Sequence, residues 1–224
     1  MNIFVLVAGT NEPSNSNALA DAFIQGIQQI KGVTVHKKML KDMNINHFDV
    51  DYYSAQCSME EDFCLLQKLV EEADGFVIAT PIWNFSIPAH LKNAIDRMGS
   101  FALDETRSKG TLNGKPFYLI HTGGAPLAAW KSLIQKTSSH LPESLQYYGG
   151  SFIGSHFEGK CTRGKGKFEL VVDKRPDSLA SLRKQGHHFA TVVQQFKETG
   201  KPPIKHRARG KIMRIGEALL KKIS

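Results

Sequence analysis

Three short stretches combine residue types and spacings that could do chemistry. The first is "GTNEPSNSNALADAF", residues 9 to 23, which leaves an apolar run at Gly9, turns at Pro13 and sets Ser14, Asn15, Ser16 and Asn17 where a helix begins. A helix N-terminus offers unpaired N–H groups and the positive end of a dipole. Short hydroxyl and amide side chains add donors, so a phosphate can be held there without a lysine. Serine and asparagine are also the commonest N-caps, and a capped turn with no ligand reads the same way. The stretch is no Walker A loop, having no Gly-Lys-Ser or Gly-Lys-Thr, and no dinucleotide fingerprint, lacking the three-glycine spacing.

The second stretch, "ATPIWNFSIPAHLKNAIDRM" (79 to 98), puts Pro81, Ile82, Trp83, Asn84, Phe85 and Ser86 between an apolar run and a helix opening at Pro88. Two prolines restrict the backbone, so aromatic and amide groups beyond a strand's end can stay fixed against a flat aromatic ligand. Taken singly, Trp83 and Phe85 read equally as core aromatics. The third stretch, "HTGGAP" (121 to 126), brings Thr122, Gly123 and Gly124, where the missing side chains let backbone groups approach a ligand closely. Together the three describe a slot with a phosphate end, a flat wall and a polar edge lined by backbone.

The elements that must position these loops alternate strictly. Continuous apolar runs at 2–8, 76–80 and 116–122 read as strands buried on both faces. A weaker run at 33–39 belongs near an edge, and 149–157 supplies a fifth strand. Between them, Leu19, Phe23, Ile27 and Ile30 mark one helix, Leu66, Leu69, Val70 and Ala73 a second, and Leu91, Ile95 and Met98 a third. "PLAAWKSLIQKTSSHL" predicts a fourth, and the series from Leu179 to Phe196 a long closing helix. Residues 40–58 look irregular, as does a basic, glycine-containing loop around 158–177. Strand and helix alternating five times predict a parallel sheet with helices on both faces, a three-layer α/β sandwich of order 2-1-3-4-5. Such sheets bind ligands beyond the carboxyl ends of their strands, where the three loops lie.

Composition sets the outer bounds. The chain has 224 residues, is 41% apolar, and carries a formal net charge of +8. From Lys201 to Ser224 eight Lys and Arg side chains face Glu217 alone, so seven of those eight charges belong to this tail and residues 1–200 are close to neutral. Ile212, Ile215, Leu219 and Ile223 share a helical stripe within it, as in a basic amphipathic helix that packs on the body, a sister subunit, an acidic partner or a membrane surface. Basic residues without interleaved aromatics or a reading motif argue against nucleic acid. The apolar N-terminal run lacks a basic region and cleavage site, and no run reaches the roughly 18 residues of a membrane span. Cys57, Cys64 and Cys161 have neither disulfide-framework nor zinc spacing, which points to a cytoplasmic, reducing location and no metal.

"TPIWNFSIPAHLKNAIDR" resembles the signature of the flavodoxin-like NAD(P)H-dependent flavin and quinone reductases, in the frame Thr80-Pro81, Leu91-Lys92 and Asp96-Arg97, with Trp83 where tyrosine is common. "SNSNAL" is similar to that family's phosphate loop and "TGG" to its third flavin loop, over about residues 1–155. The resemblance implies a flavodoxin-like fold over 1–200 with non-covalent FMN, its phosphate near Thr10 and residues 14–17 and its ring against 81–86 and 122–125. It implies a homodimer or homotetramer, NAD(P)H as co-substrate, a quinone or free flavin as acceptor, and no catalytic side chain. Relatives with an iron–sulfur centre carry four clustered cysteines, so none is expected here. His90 and His121 read as structural histidines rather than proton donors. A flavodoxin-type electron carrier and a flavin-free interaction module are the competing readings.

Overall fold

In the computed structural model, which describes residues 1–53, 60–162 and 169–201, the five apolar runs form one parallel sheet in the order β2-β1-β3-β4-β5. The strands are β1 (Asn2–Val7), β2 (Thr34–Met39), β3 (Gly75–Pro81), β4 (Pro116–Thr122) and β5 (Ser151–Glu158). Those of the centre, β3 and β4, are buried at every residue, whereas β2 alternates exposed and half-buried positions at its edge. That contrast follows from helices covering both faces of an inner strand.

The covering helices are α1 (Asn15–Ile27), α2 (Glu61–Glu72), α3 (Ala89–Ala102), the short α4 (Leu127–Ala129) and α5 (Gln135–Thr137), then α6 (His140–Tyr147) and α7 (Pro176–Thr199). One core packs Phe4, Leu6, Phe76 and Ile78 against Leu66 of α2, Leu91 and Ile95 of α3, and Leu141 and Leu145 of α6. The other packs Ile3, Val5 and Val77 against Leu19 and Phe23 of α1 and Leu182, Phe189 and Val193 of α7. Each such side chain contributes about 1.5–3 kcal/mol by leaving water. The helices α1 and α7 touch backbone to backbone. A Cβ on Gly26 would lie 1.9 Å from the Arg183 carbonyl oxygen, and one on Gly186 would lie 2.1 Å from that of Phe23.

The predicted fourth helix is not continuous. After α4 the chain widens into a π turn at Trp130–Ile134, returns to α over α5, and breaks before α6. Widened turns of this kind cluster at functional sites. Cys161 is free and buried, while Cys64 is disulfide-bonded, so cysteine usage alone no longer argues for a reducing compartment. Cys57, residues 163–168 of the basic loop and the tail beyond Lys201 lie outside the described residues. Among the described residues no helix is long and apolar enough to cross a membrane, and no group of three His, Cys, Asp or Glu side chains could hold a metal.

Candidate functional site

The loop after β1 is shaped by its own neighbours. A Cβ on Gly9 would lie 2.2 Å from Ser16 Oγ and 2.7 Å from Ser14 Oγ, so only glycine lets the loop fold down on the start of α1. Ser14 caps that helix, its Oγ accepting from the Asn17 N–H at 3.3 Å and lying 3.1 Å from Ser16 Oγ. No hydrogen bond from the N–H groups of Thr10, Asn11, Asn15 or Ser16 exists among the described residues. Asn17 Oδ1 is buried without a partner among the described residues, an unsatisfied atom of the kind that marks a place for a ligand or water. The Asn15 amide is committed elsewhere. Its Nδ2 donates to the Glu169 carbonyl at 2.8 Å, and its Oδ1 accepts from the N–H groups of Val171 and Val172 at 2.9 and 3.3 Å. Only the backbone of Asn15 is open to a ligand.

After β3 the chain makes a closed reverse turn. Trp83 and Ser86 exchange backbone hydrogen bonds of 2.8 and 2.9 Å, and Asn84 and Phe85 between them both adopt left-handed φ values, 49° and 67°. Such a turn favours glycine, and a bulky aromatic there is strained by about 1–2 kcal/mol. The Phe85 carbonyl accepts a hydrogen bond from Thr137 Oγ1 of α5, which ties the tip down. The N–H groups of Asn84 and Phe85 have no acceptor among the described residues.

The loop after β4 is held from afar. Gly123 gives its N–H to the Glu158 carbonyl at 3.0 Å and accepts from the Cys161 N–H at 2.9 Å, while the Lys160 N–H reaches the Ala125 carbonyl at 3.1 Å. The Gly123 N–H is therefore unavailable to a ligand; that of Gly124 has no such partner among the described residues. Segment 158–161 is fixed in turn by Arg175 at the start of α7, whose Nη1 donates to Glu158 Oε1 at 2.5 Å and to the Gly159 carbonyl at 2.7 Å, and whose Nη2 donates to the Lys160 carbonyl at 2.8 Å. Burial would raise the Glu158 pKa, but hydrogen bonds from His156, Arg175 and Ser178 outweigh it and hold the carboxyl at about 2.

The three loops meet in one slot, open at its mouth. Ser14, Asn15 and Ser16 line it on one side, Pro81, Ile82 and Trp83 on another, and Thr122, Gly123 and Gly124 on a third. Asn84 and Ser86 face a neighbouring cleft instead. Thr10, Asn17 and Phe85 line neither, and Phe85 is 60% exposed at the turn's tip. Asn11, Cys161 and Thr162 complete the wall unforeseen. Asn11 sits in a loop already singled out, whereas Cys161 and Thr162 arrive from beyond β5 with no local motif to announce them. Burial pushes the Cys161 thiol up to about 11, so it is protonated at neutral pH.

The two histidines differ in their surroundings. Nε2–H of His90 donates to the Ala8 carbonyl at 2.8 Å, fastening α3 to the end of β1. His121 is buried, its Nδ1 without a partner among the described residues, and burial first, then nearby His156, lowers its pKa to about 4. The signature's Arg97 is likewise structural. It is 2% exposed, pairs with Glu60 at 2.6 Å, donates to the Asn46 carbonyl at 2.9 Å, and has its guanidinium carbon 3.7 Å from the Tyr52 ring centre and 4.2 Å from that of Phe63. It thereby pins the irregular excursion after β2 onto α3.

The residues present fit a phosphorylated flavin: a helix start with open N–H groups, a glycine where any Cβ would collide, an orphaned amide oxygen and a rigid aromatic turn. A model of the NADPH-dependent FMN reductase family matches residues 1–146. The chain belongs to that family. It is similar to the FMN-dependent NADH:quinone oxidoreductase of Pseudoalteromonas atlantica, 28% identical over 140 residues that make up 55% of this chain and 69% of that protein. An iron–sulfur flavoprotein of Archaeoglobus fulgidus is 27% identical over 210 residues, 83% of this chain and 93% of that one. Among solved structures, the NAD(P)H:quinone oxidoreductase of Methanothermobacter marburgensis superposes with a TM-score of 0.69 at 20% identity, covering 84% of this chain and 96% of the other. The family match ends before β5. The clamp built by Glu158 and Arg175 thus reaches the loop after β4 from outside the matched region.

Proposed function

We infer that this chain is an FMN-dependent oxidoreductase that passes electrons from NAD(P)H through bound flavin to a quinone, free flavin or similar small acceptor. The observation that carries the reading is the convergence of three turns on one slot, with the steric cradle at Gly9 in a chain of the NADPH-dependent FMN reductase family. Ser14, Ser16 and the open N–H groups at the start of α1 hold the phosphate, and Pro81, Ile82 and Trp83 wall the ring. The N–H group of Gly124, which lines the slot, offers a hydrogen bond to its polar edge. Gly123 positions the third loop rather than the ligand. The flavin, when bound, supplies the hydride-accepting and electron-delivering chemistry. The chain supplies position, electrostatics and exclusion of water, and no side-chain acid or base is required.

A homodimer or homotetramer is part of the same reading, supported by exposed apolar side chains: Phe85, Leu127 and Leu133 are 60%, 49% and 59% exposed. A cytoplasmic site, where reduced nicotinamide nucleotide is supplied, accords with it. The purified protein should be yellow, and anaerobic mixing with NADH or NADPH should bleach the flavin's visible absorption, which a quinone then restores. Flavin that stays oxidised with both nucleotides would sink the reductase reading and leave an electron carrier. A colourless protein that takes up no FMN would leave an interaction module. Light scattering reads the subunit number.

A further inference from the structure

Across the indole of Trp83 lies a second, wider cleft with about 1060 Å³ of atom-free space. Trp83 lines both cavities. The rest of the cleft comes from Asn84 and Ser86 of the strained turn, His90 and Lys92 of α3, and His140 at the start of α6, and no carboxylate is among its lining residues. Each imidazole uses one nitrogen to hold the chain's own backbone. His90 Nε2–H donates to the Ala8 carbonyl at 2.8 Å, and His140 Nδ1–H donates to the Thr137 carbonyl at 3.2 Å. Those bonds fix the tautomers, and the second nitrogen of each ring has no partner among the described residues. Such a nitrogen accepts from a hydroxyl when the ring is neutral and donates to a phosphate when it is protonated. Lys92 is steadied by Asp96, with Nζ 2.6 and 2.7 Å from the two carboxylate oxygens, so its remaining N–H is presented from a fixed stem. Two such imidazoles, one ordered ammonium, an amide, a hydroxyl and an indole suit a ligand that carries hydroxyls and phosphates together.

We propose that this cleft receives the ribose-phosphate arm of the nicotinamide nucleotide. The proposal rests on the reductase reading above, because it takes the nicotinamide end to lie at the slot next door. A dinucleotide with its ring at the slot must carry two phosphates and a second ribose away from it, and the shared wall of Trp83 makes the cleft the continuous path. The other anion-holding end, at the start of α1, serves the flavin's own phosphate.

The test uses ADP-ribose, which is that arm without the nicotinamide, titrated by calorimetry into flavin-loaded protein. His140→Asn keeps a donor for the Thr137 carbonyl and removes the second ring nitrogen, so it separates a ligand role from a structural one. Wild type should bind ADP-ribose, and His140→Asn should weaken binding about tenfold, the weight of one charge-assisted hydrogen bond, with FMN affinity and melting temperature unchanged. Lys92→Gln should weaken it similarly, and the KM for NADH or NADPH should rise in step. Reduction by N-benzyl-dihydronicotinamide, which has no phosphates, should be equal in wild type and His140→Asn. Failure of ADP-ribose to bind wild type, or equal binding by His140→Asn, overturns the proposal and leaves a second copy of the chain as the occupant. If neither the nucleotides nor the benzyl donor reduces the flavin, the reductase reading falls instead, and the ADP-ribose titration still decides what the cleft binds.

Discussion

The rim after β1 and the rim after β4 reach the same end by opposite means. After β1, Gly9, Ser14 and Ser16 touch one another within eight residues, and the N–H groups of Thr10, Asn11, Asn15 and Ser16 have no acceptor among the described residues. After β4, Gly123 commits both its N–H and its carbonyl to residues 158–161, which Arg175 fastens from the start of α7. One rim is shaped locally by sterics, the other remotely by an ion pair between Glu158 and Arg175. Damage to the first should therefore act on the flavin directly, and damage to the second should reach it through the fold.

The largest effect should come from Gly9→Ala. A methyl group 2.2 Å from Ser16 Oγ forces that hydroxyl or the loop aside, at a cost of about 1–3 kcal/mol for an overpacked site. Flavin affinity, read by quenching of FMN fluorescence, should fall at least about a hundredfold, since the same atoms shape the proposed phosphate end. Unaltered affinity would show that the first rim is not sterically defined.

Next comes the remote rim. Arg175→Met strands the Glu158 carboxylate, 10% exposed, with His156 at 3.1 Å as its remaining ionic partner. Breaking a buried pair costs about 3–5 kcal/mol; since Arg175 is itself 28% exposed, solvent screening brings the expected loss to about 2–3 kcal/mol. Chemical denaturation should show that loss in the flavin-free protein, with FMN binding weakened about tenfold as the 123–125 loop relaxes. Arg175→Lys should recover part of the charge but not the fork that bridges three oxygens. Weakened FMN binding at full stability would mean that Arg175 reaches the ligand itself.

The same clamp sets an acid limit. A carboxylate whose folded pKa lies below its unfolded value stabilises the fold above the unfolded value, and loses that contribution as pH falls toward the folded one. Glu158, ordinarily near 4.5 and held at about 2, should support the second rim fully above about pH 4.5 and release it between there and pH 2. Fluorescence of released flavin should follow that window in wild type. In Glu158→Gln the dependence should be shallower, from a lower starting affinity.

The comparison also explains what the sequence could disclose. The apolar runs of β1, β3 and β4 announce themselves because strands covered on both faces admit few polar residues, and the β1 loop and β3 turn are legible because their parts are consecutive. Cys161, Thr162 and Arg175 are not, since nothing local to them states which loop they will meet after β5 returns to the sheet. Asn15 shows the converse: an asparagine at a helix start reads as a ligand, yet its amide serves the backbone of residues 169–172. The π turn was hidden for a similar reason. Leu127, Trp130, Leu133 and Ile134 carry an ordinary helical spacing, and the widening at Trp130–Ile134 depends on contacts rather than on pattern.

The turn after β3 stands between the two classes, and the smallest expected effect decides where it belongs. It is closed locally by the two bonds between Trp83 and Ser86, but its tip is tied to α5 through Thr137 Oγ1 and the Phe85 carbonyl. Thr137→Val keeps the shape of the side chain and removes the hydroxyl. Because the site is exposed, water can replace the lost donor, and stability should fall by only about 0.5–1 kcal/mol. If local closure governs the turn, Asn84 and Phe85 keep their left-handed conformations, and FMN affinity should change less than about threefold. If Thr137→Val instead weakens FMN as much as Arg175→Met does, the strain at Asn84 and Phe85 is held in place from α5, and the ring's wall belongs with the remotely built rim.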